Sequence, residues 1–349
     1  MNRKITKTIR VRGVPIGGGN PIPVQSMTNT HTDDVAATLA QLRRLEAAGC
    51  EIVRLAVPNQ LAARALPEIR RGPGLPLVAD IHFDYRLALA AVEAGFDKIR
   101  INPGNIGSPE RVRMVADACR ERGVPIRVGV NSGSVEKGLL EKYGLCAKSL
   151  CESALGHVKL LEDCGFEDIC ISVKASDVAM TVEANRLLST LCDYPLHIGV
   201  TEAGTKERGI LKSAAGIGAL LLDGIGDTIR ISLTDAPEEE AHAGGELLRA
   251  LGLRSGVQFV SCPSCGRTEY DLIGTAKAVE TRLRDKPWNI TVAVMGCVVN
   301  GPGEASHADY GIAGGKSEGV IFKHGEPVAR VASDRLADAL VELIERENQ

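Results

Sequence analysis

Apolar and polar positions follow two alternating patterns along most of the chain. Short apolar runs are followed by longer segments whose apolar residues recur every three or four positions, such as Val35, Leu39, Leu42 and Leu45. The runs are typical of buried strands and the longer segments of amphipathic helices. Eight strands are predicted before residue 252: Ile22–Thr28, Glu51–Val57, Leu75–Ile81, Lys98–Asn102, Pro125–Asn131, Asp168–Lys174, Pro195–Glu202 and Thr228–Thr234.

Regular alternation of strand and helix predicts a parallel sheet, and eight units in about 250 residues are the number that closes a (β/α)8 barrel. A doubly wound open sheet is the second possibility, but it requires a phosphate-binding glycine motif after its first strand. The partial motif Gly224-Ile225-Gly226 precedes its strand instead. We therefore expect an α/β TIM barrel. Asp33 is the expected cap of the first helix, and the breaker-rich segment from Val14 to Pro21 is predicted to be a loop.

The strand–helix alternation ends near Leu253. After it come a strand, a helix, four more strands and a last helix from Ser333 to Glu345, which predict an α+β module of about 95 residues. We expect residues 1–252 to form the barrel domain and residues 257–349 to form a second, smaller domain.

Charged and polar residues lie within the predicted barrel strands or at their carboxyl ends, where apolar runs are the rule. A single Arg at a strand end more often pairs with an acid or is solvated than binds a ligand. Here, however, seven of the predicted strands carry such charged or polar residues. Barrel active sites form where these strand ends converge, and buried cations need an anionic counter-charge such as a diphosphate. The basic groups Arg54, Arg100, Arg127 and Lys174 would form a positive pocket there. The polar residues on these strands are Arg54, Asp80 with His82, Arg100 with Asn102, Arg127 with Asn131, Ser172 with Lys174, His197 with Glu202, and Arg230 with Ser232.

Glu202 is a candidate proton donor or acceptor, because an acid beside a phosphate-binding cluster can handle protons. Its alternative role is to pair with Lys174 or an arginine. His82 and His197 receive little catalytic weight, since a lone histidine is more often a satisfied polar residue.

Three thiols stand among turn-forming residues in the second domain: Cys262 and Cys265 in a C-x-x-C pair, and Cys297 in a Gly- and Pro-rich segment. The pattern predicts a metal or iron–sulfur site. Zinc bound by the three cysteines and His307 remains open, as do unligated core cysteines. In an iron–sulfur cube one iron would be left for a weaker ligand, for which Glu304 is the candidate, although it is also readily explained as a solvated acid.

Composition places the chain among globular proteins of a reducing compartment. A net charge of −3 and 3% aromatic residues argue against nucleic-acid binding. Neither a secretory signal nor an apolar run long enough to span a membrane is found, so we expect a cytoplasmic protein. The seven remaining cysteines show no ligand spacing and are assigned to packing: Cys50, Cys119, Cys146, Cys151, Cys164, Cys170 and Cys192.

Several motifs in order along the chain give a resemblance to a known family. They are Gly17-Gly18, Val24-Gln25-Ser26-Met27-Thr28, Gly226-Asp227-Thr228-Ile229-Arg230, Cys262-Pro263-Ser264-Cys265-Gly266-Arg267 and Asn300-Gly301-Pro302-Gly303-Glu304. Together they closely resemble the bacterial (E)-4-hydroxy-3-methylbut-2-enyl diphosphate synthases of the methylerythritol phosphate pathway to isoprenoids.

The resemblance implies a TIM barrel joined to a domain like those of sulfite reductases. It implies one 4Fe-4S cluster per chain, held by Cys262, Cys265, Cys297 and Glu304. Members reductively open 2-C-methyl-D-erythritol 2,4-cyclodiphosphate with two electrons from flavodoxin or ferredoxin and lose water. By this resemblance, the family's substrate contacts would fall on Arg54, Asp80, Arg100, Asn102, Arg127, Asn131, Lys174, Glu202 and Ser232. A head-to-tail homodimer, in which one subunit's cluster caps the other's barrel, is also implied.

Two other classes of function remain open from the residues alone. One is a phospho-sugar lyase on a barrel whose last domain is stapled by zinc. The other is a non-enzymatic iron–sulfur sensor, for which the concentrated positive charge has no evident use.

Overall fold

The computed structural model describes residues 2–72, 74–297, 303 and 305–348. The chain forms two compact units that divide between Leu251 and Gly252. Within the first unit, eight parallel strands alternate with helices. The strands are β3 (Gln25–Met27), β4 (Ile52–Ala56), β5 (Leu77–Asp80), β6 (Lys98–Ile101), β7 (Ile126–Asn131), β8 (Ile169–Lys174), β9 (His197–Ile198) and β10 (Thr228–Ile229). These strands and helices form a TIM barrel, as predicted.

Single bridges close the ring. Strands β3 to β8 form one sheet in chain order, and β9 pairs with β10. The parallel bridge between Ile171 and Leu196 joins β8 to β9, and the bridge between Val24 and Ile229 joins β10 to β3. Because all neighbours are parallel, the eight carboxyl ends lie on one side of the barrel.

Ten α-helices belong to the described residues of the first unit. They are α1 (Val35–Ala47), α2 (Gln60–Arg70), α3 (Tyr85–Glu93), α4 (Pro103–Ile106), α5 (Pro109–Arg122), α6 (Lys137–Tyr143), α7 (Ala147–Glu162), α8 (Val178–Leu191), α9 (Lys206–Leu222) and α10 (Pro237–Ala250). Asp34 caps α1 by accepting from the Ala37 N–H, so the prediction of Asp33 was wrong by one residue. The short α4 and α6 lie in the loops after β6 and β7 and bring extra backbone to the carboxyl ends of the strands.

The first two strands form a hairpin outside the ring: β1 (Ile9–Val11) pairs antiparallel with β2 (Val14–Ile16). Its apolar residues pack against Ile52, Val78 and Cys170, which lie at the start of β4, β5 and β8. The hairpin therefore covers the amino-terminal end of the barrel. The prediction of a loop from Val14 onward was wrong. A three-residue strand with an internal Pro is too short to show the alternation of apolar and polar residues by which strands are predicted.

Ile16 anchors this hairpin and is fully buried. We expect Ile16→Ala to destabilise the barrel by about 3 kcal/mol, because the deletion removes buried methyl groups and leaves a cavity. Far-ultraviolet circular dichroism in a denaturant series measures this loss. Ile5→Ala is the matched control, since Ile5 is 68% exposed. An equal shift in both variants would show that the hairpin does not seal the barrel.

Among its described residues, the second unit has a mixed sheet on which two long helices pack. Its strands, in sheet order, are β11 (Gln258–Ser261), β12 (Thr291–Met295), β13 (Tyr310–Ala313), β14 (Glu318–Lys323) and β15 (Glu326–Ala332). The first three are parallel and the last three antiparallel. Helices α11 (Leu272–Leu283) and α12 (Leu336–Glu347) pack on one face of the sheet through a buried apolar cluster.

Candidate active site

Charged side chains line the inside of the barrel towards the carboxyl ends of its strands. The register places Asp80 beside Arg100, and Arg100 beside Arg127, on the neighbouring strands β5, β6 and β7. Residues paired in this way point to the same face of a sheet. Lys174 ends β8 beside Asn131. The structure thus brings these predicted residues together on one wall.

Asp80 is the carboxylate at the centre of this wall. Its Oδ1 lies 3.0 Å from Nη1 of Arg100, and its Oδ2 lies 3.4 Å from Nε of Arg54. Burial alone would raise the pKa of Asp80, but attraction by Arg54, Arg100 and Arg127 outweighs it and lowers the pKa to about 2. Asp80 is therefore ionised at neutral pH and offsets part of the positive charge.

The positive charge of Arg127 is less well compensated by neighbouring groups than the charges of Arg54 and Arg100. It is 3% exposed, and neither its Nε nor its Nη1 has a hydrogen-bond partner within the described part of the chain. Burial lowers the pKa of Arg127 well below its ordinary value, and the charges of Arg54 and Arg100 lower it further. A buried guanidinium with free donors costs folding free energy unless a ligand accepts its hydrogen bonds. The arrangement is suited to an anion.

Lys174 lies at the same end of the barrel and is 7% exposed. Burial lowers its pKa well below the ordinary value, and Arg127 and Arg230 add repulsion. A β-carbon on Gly199 would come within 2.7 Å of the Lys174 Nζ, so the absence of a side chain there makes room for the ammonium. An anionic ligand would relieve the repulsion and return the proton affinity of Lys174 towards normal.

The uncharged candidates occupy neighbouring positions. Asn102 is buried and accepts a hydrogen bond from the Gly129 N–H at 3.2 Å. Asn131 and Ser232 are half-buried. Glu202 is exposed and has a φ of 52°, a left-handed conformation that non-glycine residues rarely adopt. Such strain, on the order of 1 kcal/mol, commonly accompanies functional residues.

Three buried polar residues of the barrel were missed as site candidates. Lys98 is fully buried, and burial lowers its pKa to about 8. It stands two positions before Arg100 on β6, so strand periodicity alone places both on one face. His197, given little weight, is fully buried with no partner on either ring nitrogen among the described residues. Glu240 on α10 pairs with Arg230 at 3.1 Å; a charged residue on a helix carries no sequence signal that it faces the barrel.

In the second unit, the cysteines follow the carboxyl ends of two paired strands. Cys262 comes directly after β11, and its N–H donates to the Val294 carbonyl at 3.0 Å. Cys297 follows β12 after one glycine, Gly296. A β-carbon on Gly296 would lie 3.7 Å from the Cys262 Sγ and 2.9 Å from the Thr268 Oγ1. Thr268 in turn accepts from the Cys265 N–H, so the backbones carrying all three cysteines meet here.

These thiols fit a metal or iron–sulfur centre by their chemistry and by the meeting of their backbones. Across 2–72, 74–297, 303 and 305–348, however, no three His, Cys, Asp or Glu side chains are grouped closely enough to hold a metal ion. The Cys262 thiol instead donates to the Pro263 carbonyl at 3.4 Å. Glu304, the predicted fourth ligand, lies outside the described residues. The ligand set therefore stays a prediction.

Two family models match the chain and together cover most of it. A GcpE TIM-barrel domain matches residues 6–245, and a GcpE protein C-terminal domain matches residues 258–346. This chain belongs to the GcpE family. The resemblance found in the sequence motifs is thereby confirmed, and so is the prediction of a TIM barrel followed by a smaller domain.

Curated relatives in the GcpE family span nearly the full length. Proteins of Fusobacterium nucleatum and Clostridium acetobutylicum are each 56% identical to this chain, over 97% and 99% of it and over 96% and 99% of their own lengths. A Geobacter sulfurreducens protein is 57% identical over 98% of this chain and 97% of its own length. All three are named 4-hydroxy-3-methylbut-2-en-1-yl diphosphate synthase (flavodoxin).

Solved structures of other proteins resemble a large part of this chain. A truncated 3-deoxy-D-arabino-heptulosonate 7-phosphate synthase of Thermotoga maritima covers 71% of this chain and 94% of its own, with a TM-score of 0.52 and 15% identity. A sialic acid synthetase of Leptospira borgpetersenii covers 72% and 92%, with a TM-score of 0.51 and 12% identity. At these identities the likeness establishes the fold alone.

No helix among the described residues is long and apolar enough to cross a membrane.

Proposed function

We propose that this chain catalyses the two-electron reductive ring opening and dehydration of 2-C-methyl-D-erythritol 2,4-cyclodiphosphate to (E)-4-hydroxy-3-methylbut-2-enyl diphosphate. Relatives of 56–57% identity over nearly the whole chain carry the name of this synthase. The observation that carries the proposal is the barrel wall on which Arg54, Arg100 and Arg127 surround the carboxylate of Asp80, with Lys174 at the same end of the barrel. This excess of buried positive charge is suited to a polyanion, which the cyclic diphosphate supplies.

The barrel residues bind and orient the diphosphate in this proposal. Arg127 offers free donors at Nε and Nη1, while Asp80 holds the guanidinium groups of Arg54 and Arg100 in place. Asn102, Asn131 and Ser232 add neutral hydrogen bonds at the carboxyl ends of the strands. Fixing both phosphates leaves the ring carbons in one orientation, which lowers the entropic part of the barrier.

Family membership implies an iron–sulfur cofactor, and we propose one 4Fe-4S cluster per chain held by Cys262, Cys265, Cys297 and Glu304. When bound, such a cluster supplies the two electrons of the reduction, one at a time. Cys262 and Cys265 would hold it from the loop after β11, and Cys297 from the loop after β12. Glu304 would be the weaker fourth ligand, since a carboxylate binds iron less strongly than a thiolate.

Glu202 handles the proton in the proposed reaction. The ring opens when a carbon–oxygen bond to phosphate breaks, and a hydroxyl oxygen must then leave as water. An exposed carboxyl group in the loop after β9 can donate the proton that this oxygen needs. Its left-handed backbone holds the side chain in a position that an ordinary strand end would not provide.

The proposed partners follow from the same reaction. Flavodoxin is the electron donor named for the relatives, and we propose flavodoxin or ferredoxin for this chain. We also propose a homodimer in which one subunit's cluster caps the other's barrel, and a cytoplasmic location. Analytical ultracentrifugation of the active enzyme tests the dimer, which a fully active monomer would refute.

Anaerobic purification followed by iron, sulfide and zinc assays and a turnover measurement tests the main proposal. We expect about four irons and four sulfides per chain for a single cube. We also expect conversion of the cyclic diphosphate with a reduced flavodoxin. A colourless protein with one zinc per chain and no reductive turnover would favour the zinc-stapled lyase instead.

Arg127→Met provides a sharper test of the binding wall. We expect the dissociation constant for the cyclic diphosphate to rise about 30-fold, because charge-assisted hydrogen bonds contribute roughly 2 kcal/mol. We also expect no loss of folding stability, because the variant removes a buried charge whose Nε and Nη1 have no hydrogen-bond partner among the described residues. Calorimetric titration and chemical denaturation measure the two effects.

Arg113→Met on α5 is the matched control, since Arg113 is exposed on the outside of the barrel. It should leave affinity unchanged. If Arg127→Met loses stability but binds normally, Arg127 serves the fold and the binding wall does not include it.

A further inference from the structure

His157 connects two of the loops that form the carboxyl end of the barrel. It lies on α7 and is only 5% exposed. Its Nδ1 accepts a hydrogen bond from the Gly104 N–H at 3.1 Å, and its Nε2 lies 2.9 Å from Oε1 of Glu136. Gly104 belongs to the loop after β6 and Glu136 to the loop after β7. One imidazole therefore bonds to both loops at once.

The hydrogen bonds fix the state of the ring. Because the Gly104 N–H donates to Nδ1, the proton of the neutral imidazole sits on Nε2, where it faces the Glu136 carboxylate. Burial lowers the pKa of His157, although Glu136 opposes the effect. The neutral ring thus serves as an acceptor to one loop and a donor to the other.

The contact at Gly104 leaves no room for a side chain. A β-carbon there would lie 2.5 Å from Cε1 and 3.0 Å from Nδ1 of His157. Since real β-carbons do not approach so closely, the backbone of α4 can reach the imidazole only with glycine at this position. The loop after β6 is therefore built to meet His157.

Each loop also carries a predicted substrate contact. Asn102 immediately precedes α4 and accepts from the Gly129 N–H on β7. Asn131 ends β7, and its N–H and carbonyl both bond to the Ser134 hydroxyl, two residues before Glu136. A shift of either loop would move one of these two asparagines.

We propose that His157 is a positioning residue that clamps the loops after β6 and β7 to each other, and so holds Asn102 and Asn131 in register for the substrate. His157 itself touches neither the diphosphate nor the reacting carbon. The substrate in this inference rests on the proposed function, whereas the clamp rests on the hydrogen bonds alone.

Two conservative variants separate the halves of the clamp. In His157→Asn the amide oxygen takes the place of Nδ1, so the bond from Gly104 is kept and the contact with Glu136 is lost. In His157→Gln the amide nitrogen takes the place of Nε2, so the Glu136 contact is kept and the Gly104 N–H is left without an acceptor. Lys159→Ala, an exposed position on the same helix, is the control.

Hydrogen exchange on the purified holoenzyme measures how firmly His157 holds the backbone of each loop. We expect the Gly104 amide to exchange about tenfold faster in His157→Gln but not in His157→Asn. Residues 132–136 should show the opposite pattern. Amide exchange rates within twofold of wild type at both loops in both variants would refute the proposal that His157 clamps the loops.

Calorimetric titration with the cyclic diphosphate measures how the loss of either contact of His157 changes substrate affinity. We expect the dissociation constant and the KM to rise about tenfold in each variant while kcat stays within about twofold, since the lost contacts serve ground and transition states alike. Unchanged affinity together with faster exchange would limit His157 to a structural role and refute the positioning inference. Wild-type protein that fails to bind the cyclic diphosphate would refute the proposed function instead, and the exchange pattern would still decide the clamp.

Discussion

Replacing Cys297 by serine is expected to remove the cofactor and reduce turnover of the cyclic diphosphate to below about 0.1% of wild type, because a hydroxyl does not replace a thiolate on iron. Cys297 follows β12 beside Gly296, whose backbone meets Cys262 and Thr268. Iron and sulfide assays on anaerobically purified protein, together with a turnover measurement, check the expectation.

Cys164→Ser is the matched control for this variant. Cys164 is half-buried in the barrel unit, and its thiol donates to the Leu160 carbonyl, a bond that a serine hydroxyl can also make. Iron content and turnover should stay at the wild-type level. A Cys297→Ser protein with full iron content and normal turnover would remove Cys297 from the ligand set and refute the proposed centre.

The second large effect is expected at Asp80. Asp80→Asn should destabilise the barrel by about 4 kcal/mol, because it leaves Arg54 and Arg100 buried without their carboxylate. Circular dichroism in a denaturant series measures the barrel. The single tryptophan, Trp288, lies in the second unit, so its fluorescence transition should remain in place. Asp84→Asn is the control, since its ion pair with the exposed Arg86 is screened by solvent and contributes little to stability.

The pH dependence of stability gives an independent measure of the same group. The pKa of Asp80 falls from 3.8 to about 2 on folding. A carboxylate whose pKa is lower in the folded state stabilises the protein above the unfolded pKa, and this stability is lost as pH falls through the folded pKa. The wild type should therefore lose about 2 kcal/mol between about pH 5 and pH 2 that Asp80→Asn does not lose. Parallel stability curves for the two proteins would contradict the ion pairing.

The barrel was predictable because its signal is repeated. Eight apolar runs at regular intervals each give the same indication, and an error in one does not change the count. The hairpin β1–β2 had no such support: three-residue strands carry too little pattern. Its role in covering the barrel depends on contacts with Ile52 and Val78, which are distant in sequence.

The charged wall was predictable for a similar reason, since Arg54, Asp80, Arg100 and Arg127 each end or interrupt an apolar strand. Sequence position gave no comparable indication for His157 or Glu240. Both lie on helices, where polar residues are ordinary, and only the folded chain shows that their side chains turn inward. Lys98 was missed although strand periodicity places it on the face of Arg100.

The crowding of positive charge described for Arg127 and Lys174 has a practical consequence for handling the enzyme. Repulsion among these groups opposes folding whenever the barrel is empty, so any small polyvalent anion that enters favours the native state by mass action. Pyrophosphate in the storage buffer should raise the thermal midpoint of the barrel, whereas sodium chloride at equal ionic strength should not. Purification in a phosphate-containing medium is thus preferable to purification without it.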